Sequence, residues 1–114
     1  MAVGYLREVK DPLTFMRAAC LMADVSDVEL VHVGNALEPR FETWARETME
    51  ACPCYRWLGG LAHEDARSHI AGAYALVHMS RVEGGANVVI EAARSAVPVI
   101  ASRIDGNVGL LGAD

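Results

Sequence analysis

No apolar run in the chain approaches the roughly 20 residues that cross a bilayer, so no transmembrane segment is expected. The opening Met1-Ala2-Val3-Gly4-Tyr5-Leu6 lacks the basic flank and long apolar stretch of a secretory signal. Positive charge is scarce, with 10 Lys and Arg against 15 Asp and Glu and a formal net charge of -5. A general nucleic-acid surface needs clustered Lys and Arg, so nucleic acid is not an expected partner. A phosphorylated small ligand stays open, because its site needs only local positive potential and backbone N–H groups. Cysteine is sparse and odd in number, at Cys20, Cys52 and Cys54. Cys52-Pro53-Cys54 is a C-x-C, and no second pair completes a zinc site. Free thiols in a reducing cytoplasm are the expectation, with no metal and no cofactor.

Catalytic motifs of several large classes are missing too. His63-Glu64-Asp65-Ala66-Arg67 is not H-E-x-x-H, and His63 and His69 are too far apart to share a helical face, which leaves them surface or capping roles. Ser80 lies in no G-x-S-x-G. The glycine turns match neither the P-loop nor the dinucleotide fingerprint. His78 closes an apolar strand and reads as a buried, satisfied histidine, and Trp44 and Trp57 read as core or domain-edge residues.

What the chain does have is an alternation of strand and helix patterns. With 114 residues, 53% hydrophobic and 22% charged, it has the composition of one small globular domain. Strands are expected at 2–6, 28–33, 55–58, 75–78 and 98–101, from short apolar or β-branched runs closed by turn residues. Helices are expected at 12–24, 38–51, 63–74 and 86–95. Pro12 after Asp11 suits a first helical position, and Phe41, Trp44, Ala45 and Thr48 mark one helix side. This order predicts an α/β fold: a Rossmann-like, three-layer parallel sheet with helices on both faces. The strands at 75–78 and 98–101 should be central, with the helix 86–95 between them. The abrupt start and the loop-like end at Val108 to Asp114 predict a domain, 1–114, incomplete at its C-terminal end.

Glycines recur just past the strands, at Gly34, Gly59 and Gly60, Gly84 and Gly85, and Gly106. In an open parallel sheet, ligands bind outside the carboxyl ends of the strands, and glycine lets backbone approach a ligand closely. The richest stretch is Ser80-Arg81-Val82-Glu83-Gly84-Gly85-Ala86-Asn87-Val88-Val89-Ile90-Glu91-Ala92. It runs from a strand through a glycine turn into a helix. The first helical N–H groups, near Ala86, Asn87 and Val88, lack intrahelical acceptors, and with the helix dipole they suit a phosphate. Glu83 and Glu91 flank that point. A carboxylate accepts several hydrogen bonds and fits a vicinal diol. Helix terminus for phosphate and carboxylates for hydroxyls is the polarity a nucleotide-sugar requires.

Glu83, seven intervening residues, then Glu91-Ala92, followed by Pro98-Val99-Ile100-Ala101-Ser102, resembles the E-x7-E signature of the retaining glycosyltransferases of family four. Val3-Gly4-Tyr5-Leu6 with Lys10 is similar to the first strand of that family's C-terminal domain, where an Arg and a Lys grip the donor diphosphate. Lys10 matches the Lys. Tyr5 stands at the Arg position, which leaves Arg7 as a substitute charge. The family's Gly-Phe-Gly is Gly84-Gly85-Ala86 here, a departure that weakens the expected backbone contacts to the sugar.

The resemblance implies the donor-binding, C-terminal half of a two-domain (GT-B) glycosyltransferase that uses a UDP-sugar. Its N-terminal Rossmann-like domain would be missing, and the chain alone would be inactive. Glu91 would then bind the ribose, and Glu83 the transferred sugar in a catalytic role. Lys10 with the Ala86, Asn87 and Val88 amides would hold the diphosphate, and the loop at Leu58 would touch the base. His78-Met79-Ser80-Arg81, the stretch from Glu83 to Val89, and Asp105 to Gly112 also resemble the selenosugar synthases of selenoneine biosynthesis, which join a UDP-sugar to selenophosphate. A sugar-nucleotide 2-epimerase and a non-catalytic nucleotide-sugar module are the alternatives. The acceptor, the sugar and the nucleobase are not legible.

Overall fold

A computed structural model describes residues 1–25, 27–81, 87–104 and 108. Five strands appear among them: β1 (Ala2–Val3), β2 (Leu30–Val33), β3 (Tyr55–Trp57), β4 (Leu76–His78) and β5 (Val99–Ala101). Four helices join them: α1 (Pro12–Leu21), α2 (Pro39–Ala51), α3 (His63–Ala71) and α4 (Asn87–Arg94). Every strand pair is parallel. One run has the order β1-β2-β3, and β4 pairs with β5. The two runs meet where the Met1 nitrogen donates to the Ala75 carbonyl at 3.0 Å and the Val77 amide to the Met1 carbonyl at 2.7 Å. Across the molecule the strands therefore read β3-β2-β1-β4-β5.

The two-residue repeat of a strand sorts its side chains between two cores. Ala2, Leu30 and Tyr55 join Phe15, Met16, Ala19, Phe41 and Ala45 beneath α1 and α2. Leu76, with half-buried Val3 and Val99, joins Ile70, Val89 and Ala92 beneath α3 and α4. This is the three-layer arrangement expected, and each buried Phe or Leu adds about 1.5–3 kcal/mol relative to exposure. Within the first core, Phe15, His32 and Tyr55 form an edge-to-face trio. The Nδ1 of His32 lies 2.8 Å from the Tyr55 hydroxyl. Burial lowers the His32 pKa to about 3, so the ring is neutral.

The elements follow the expected pattern and differ mostly at their ends. β1 is shorter than 2–6, but the Gly4 and Leu6 amides still donate to Val33 and Asn35, and Leu6 bridges to Ala36. The charged loop contains a short 3-10 turn, Glu8–Lys10. It closes on Asp11, which takes a left-handed conformation with φ 49° before Pro12 starts α1. α3 ends at Ala71, not at Tyr74: Gly72 is its C-cap, and Tyr74 is exposed, so no packing of its side chain holds a further turn. The expected helix start at Ala86 and the closing segment from Gly109 lie outside the described residues.

Candidate functional site

The order β3-β2-β1-β4-β5 changes direction between β1 and β4: the chain winds outward from β1 to β3, crosses back, and continues from β4 to β5. The carboxyl ends at such a reversal diverge and leave a crevice. A cleft of about 420 Å³ lies there. Its floor is Val3, Gly4, Val33, Gly34 and the buried His78, and its walls include Lys10, Asn35, Gly60, His63 and Val88.

Backbone contacts fix the floor. The Gly34 amide donates to Gly59 at 2.7 Å, and the Gly4 amide to Val33 at 2.8 Å. The Trp57 indole donates to the Gly34 carbonyl at 2.8 Å. Gly34 has φ 150°, and a Cβ there would fall on the backbone carbonyl of Gly4. Only glycine lets these two strand ends approach so closely. At Gly60 a Cβ would come within 2.5 Å of the Asn35 amide group. Gly34 thus serves a close approach of backbone to backbone at the carboxyl edge, and Gly60 makes room for the Asn35 side chain. Gly84, Gly85 and Gly106 are outside the described residues.

Two loops meet beside Lys10. The Arg81 amide, at the exit of β4, donates to the Val9 carbonyl at 2.8 Å. The Arg81 guanidinium reaches Glu8 at 3.5 Å and Asp11 at 3.6 Å. The segment that leads toward Glu83 is therefore tied to the turn that carries Lys10. Lys10 is half-buried, and its stem lies 3.7 Å from the position of a Cβ on Gly4. Val88, one residue into α4, faces the cleft with Lys10. Asn87 is exposed. Arg7 and Leu58 do not line the cleft; Arg7 is exposed, and the Leu58 amide donates to His32. Glu83, Gly84, Gly85 and Ala86 lie outside the described residues.

Glu91 is no solvated surface carboxylate. Its side chain is only 16% exposed, with one oxygen 3.3 Å from His63 Nε2 and 3.6 Å from Arg67 Nε. It sits one turn beyond Val88 and is drawn toward the start of α3. The sequence reading gave His63 a surface or capping role, and its side chain is indeed 69% exposed at the first position of α3; what that reading did not include is its neighbour Glu91. His63 opens α3, lines the cleft and pairs with Glu91. The i,i+4 spacing of His63 and Arg67 sets the two side chains on one helical face, but nothing local in the sequence places Glu91 opposite them. Among the described residues no group of three or more His, Cys, Asp or Glu is arranged to hold a metal. No helix among them is long and apolar enough to cross a membrane.

A doubly wound parallel sheet with a glycine-floored cleft at its reversal is a Rossmann-like unit. Solved structures share this fold. An avilamycin A biosynthesis glycosyltransferase, AviGT4, is 24% identical over 97% of this chain and 34% of its own, with a TM-score of 0.69. The GtfA/B complex is 19% identical over 99% of this chain and 22% of that one, at 0.74. The E. coli heptosyltransferase WaaC, solved with ADP-2-deoxy-2-fluoro heptose, is 20% identical over 91% and 33%, at 0.59. The chain thus spans about a third or less of the length of these proteins and has the fold of one part of a GT-B glycosyltransferase. The family model of the group 1 glycosyl transferases matches residues 1–113, and the chain belongs to that family.

Proposed function

We propose that the cleft binds the nucleotide-diphosphate portion of a UDP-sugar, as the donor half of a retaining glycosyltransferase. The observation that carries this reading is that Lys10, His63 and Val88 of the first turn of α4 line one crevice, with Glu91 held one turn further along α4 against His63. Lys10 and the first turn of α4 would supply positive potential for a diphosphate. That potential would stabilise the charge that develops as the sugar–phosphate bond breaks. Glu91 offers a carboxylate for the ribose diol, and Glu83 is assigned to the transferred sugar. WaaC, whose structure includes a nucleotide-sugar analogue, has the same fold. A second Rossmann-like domain would contribute the acceptor site and exclude water, so the chain alone should transfer no sugar. Selenophosphate is the acceptor class that the resemblance to selenosugar synthases favours.

The test is calorimetric titration of UDP into the chain and into Glu91→Gln, with thermal melts in parallel. A charge-assisted hydrogen bond is worth about 1.5–3 kcal/mol, and about 1.4 kcal/mol is a factor of ten. Glu91→Gln should therefore weaken UDP roughly 10- to 100-fold while the melt changes little. Unchanged UDP affinity in the folded variant refutes the ribose assignment. Replacing UDP with ADP or GDP in the same titration tests the base.

A further inference from the structure

The three cysteines, which the sequence presents as a C-x-C and a distant single residue, come together at the edge of the sheet opposite the cleft. Cys20 lies in the last turn of α1, and Cys52 follows the last residue of α2. Their Sγ atoms are 2.7 Å apart although the residues are separated by 32 positions. A disulfide bond is about 2.05 Å long, so closing it needs a sulfur movement of well under 1 Å. Cys20 is exposed, Cys52 is buried and Cys54 is half-buried. The Cys54 thiol is directed elsewhere and donates to the Ala19 carbonyl at 3.3 Å.

We propose that Cys20 and Cys52 form an oxidation site, which a low-molecular-weight disulfide such as oxidised glutathione converts into a Cys20–Cys52 disulfide joining the ends of α1 and α2. The order of steps follows from exposure. The Cys20 thiolate, at the surface, attacks one sulfur of the oxidant, and the first glutathione thiolate leaves. Cys52 then gives its proton to solvent and attacks Cys20 Sγ, and the second glutathione leaves. Two protein thiols are oxidised, one small disulfide is reduced to two thiols, and two protons accompany the electrons. The hydrogen bond to Cys20, with burial and the neighbouring thiols, pushes the Cys52 pKa up to about 11. Cys52 thus stays protonated until the mixed disulfide forms beside it, which makes Cys20 the entry point.

The bond would close a long loop through the first core without touching the cleft. It should raise the melting temperature, by on the order of 10 °C for a domain of this size, and leave UDP binding unchanged. This inference does not depend on the nucleotide reading. The purified chain is equilibrated with oxidised glutathione and compared with a dithiothreitol-treated sample. Titratable thiols should fall from the three of the sequence to one, and a non-reducing peptide map should join the Cys20 and Cys52 peptides. Cys54→Ser should retain the linkage and Cys20→Ser should abolish it. Three persistent thiols, a linkage through Cys54, or a melting temperature lowered by oxidation would each overturn the proposal.

Discussion

At the carboxyl edge of the sheet, strands end in glycine and backbone meets backbone; at the amino edge, helices end in cysteines and apolar side chains meet one another. The carboxyl-edge cleft, at about 420 Å³, is the smaller opening. The amino-edge groove, at about 670 Å³, runs along α1 beside β4 and β5, past Phe15, Ala18, Met22, Val77 and the 62% exposed Ile100. Volume alone would choose the groove. The cleft is distinguished by its lining: Lys10, Val88 from the first turn of α4, and His63, whose neighbour is the Glu91 carboxylate. Few, well-placed polar groups on a largely preformed concave surface define a ligand site better than size does.

The largest expected effect separates the two roles a glycine can have at the carboxyl edge. Gly34 and Gly59 both have positive φ, at 150° and 72°. A methyl group on Gly59 meets nothing within 4 Å, whereas one on Gly34 collides with the Gly4 carbonyl. Gly59→Ala should cost about 1–2 kcal/mol, the left-handed penalty alone. Gly34→Ala should cost about 3 kcal/mol or more, because backbone must also move. Urea denaturation of both variants measures the difference. Equal losses would mean that the cleft floor yields easily and is not the rigid scaffold described above.

The next effect tests the core that joins the two edges. His32 is neutral in the fold, with its pKa lowered from 6.5 to about 3, chiefly by burial. The unfolded chain binds the extra proton between those values, so stability falls as pH drops through 6.5. From pH 7 to pH 5 the loss is about 2 kcal/mol for this group, at about 1.36 kcal/mol per pH unit. Above pH 7 it contributes no slope. Denaturation at pH 5 and pH 7 should show the loss, and His32→Asn should flatten it. An unchanged slope in that variant would assign the acid sensitivity elsewhere.

How legible each edge was in the sequence follows from how local its signals are. Strand and helix order, the parallel sheet and the glycine turns come from patterns a few residues long, such as Pro12 at a helix start or Phe41 and Ala45 on one face. Helix ends were less legible: α3 ends at Ala71, with Gly72 as its C-cap, three residues before the expected end at Tyr74. The pairing of His63 with Glu91 joins two helices 28 positions apart in number, and that of Cys20 with Cys52 joins two helix ends. Both are set by where the sheet places the helices, and no local pattern encodes that. The expectation of free thiols holds in the structure, but the closeness of Cys20 to Cys52 could not be read for this reason.

The smallest effect asks whether the basic pair at the start of α3 acts on the ligand through Glu91. Arg67 is 56% exposed and its Nε stands 3.6 Å from the Glu91 carboxylate, beyond good hydrogen-bond length. An exposed pair of this kind is worth about 0.2–1 kcal/mol. If Arg67 only steadies Glu91 for a ribose, Arg67→Ala should weaken UDP about two- to threefold. The same change in a Glu91→Gln background should do nothing further, since contacting residues couple in a double-mutant cycle. Binding of a UDP analogue without ribose hydroxyls should be indifferent to Arg67. Additive losses in the double variant would instead give Arg67 its own contact with the diphosphate. That outcome would extend the positive side of the cleft from Lys10 across to α3, with the carboxylate and the guanidinium serving different parts of the nucleotide.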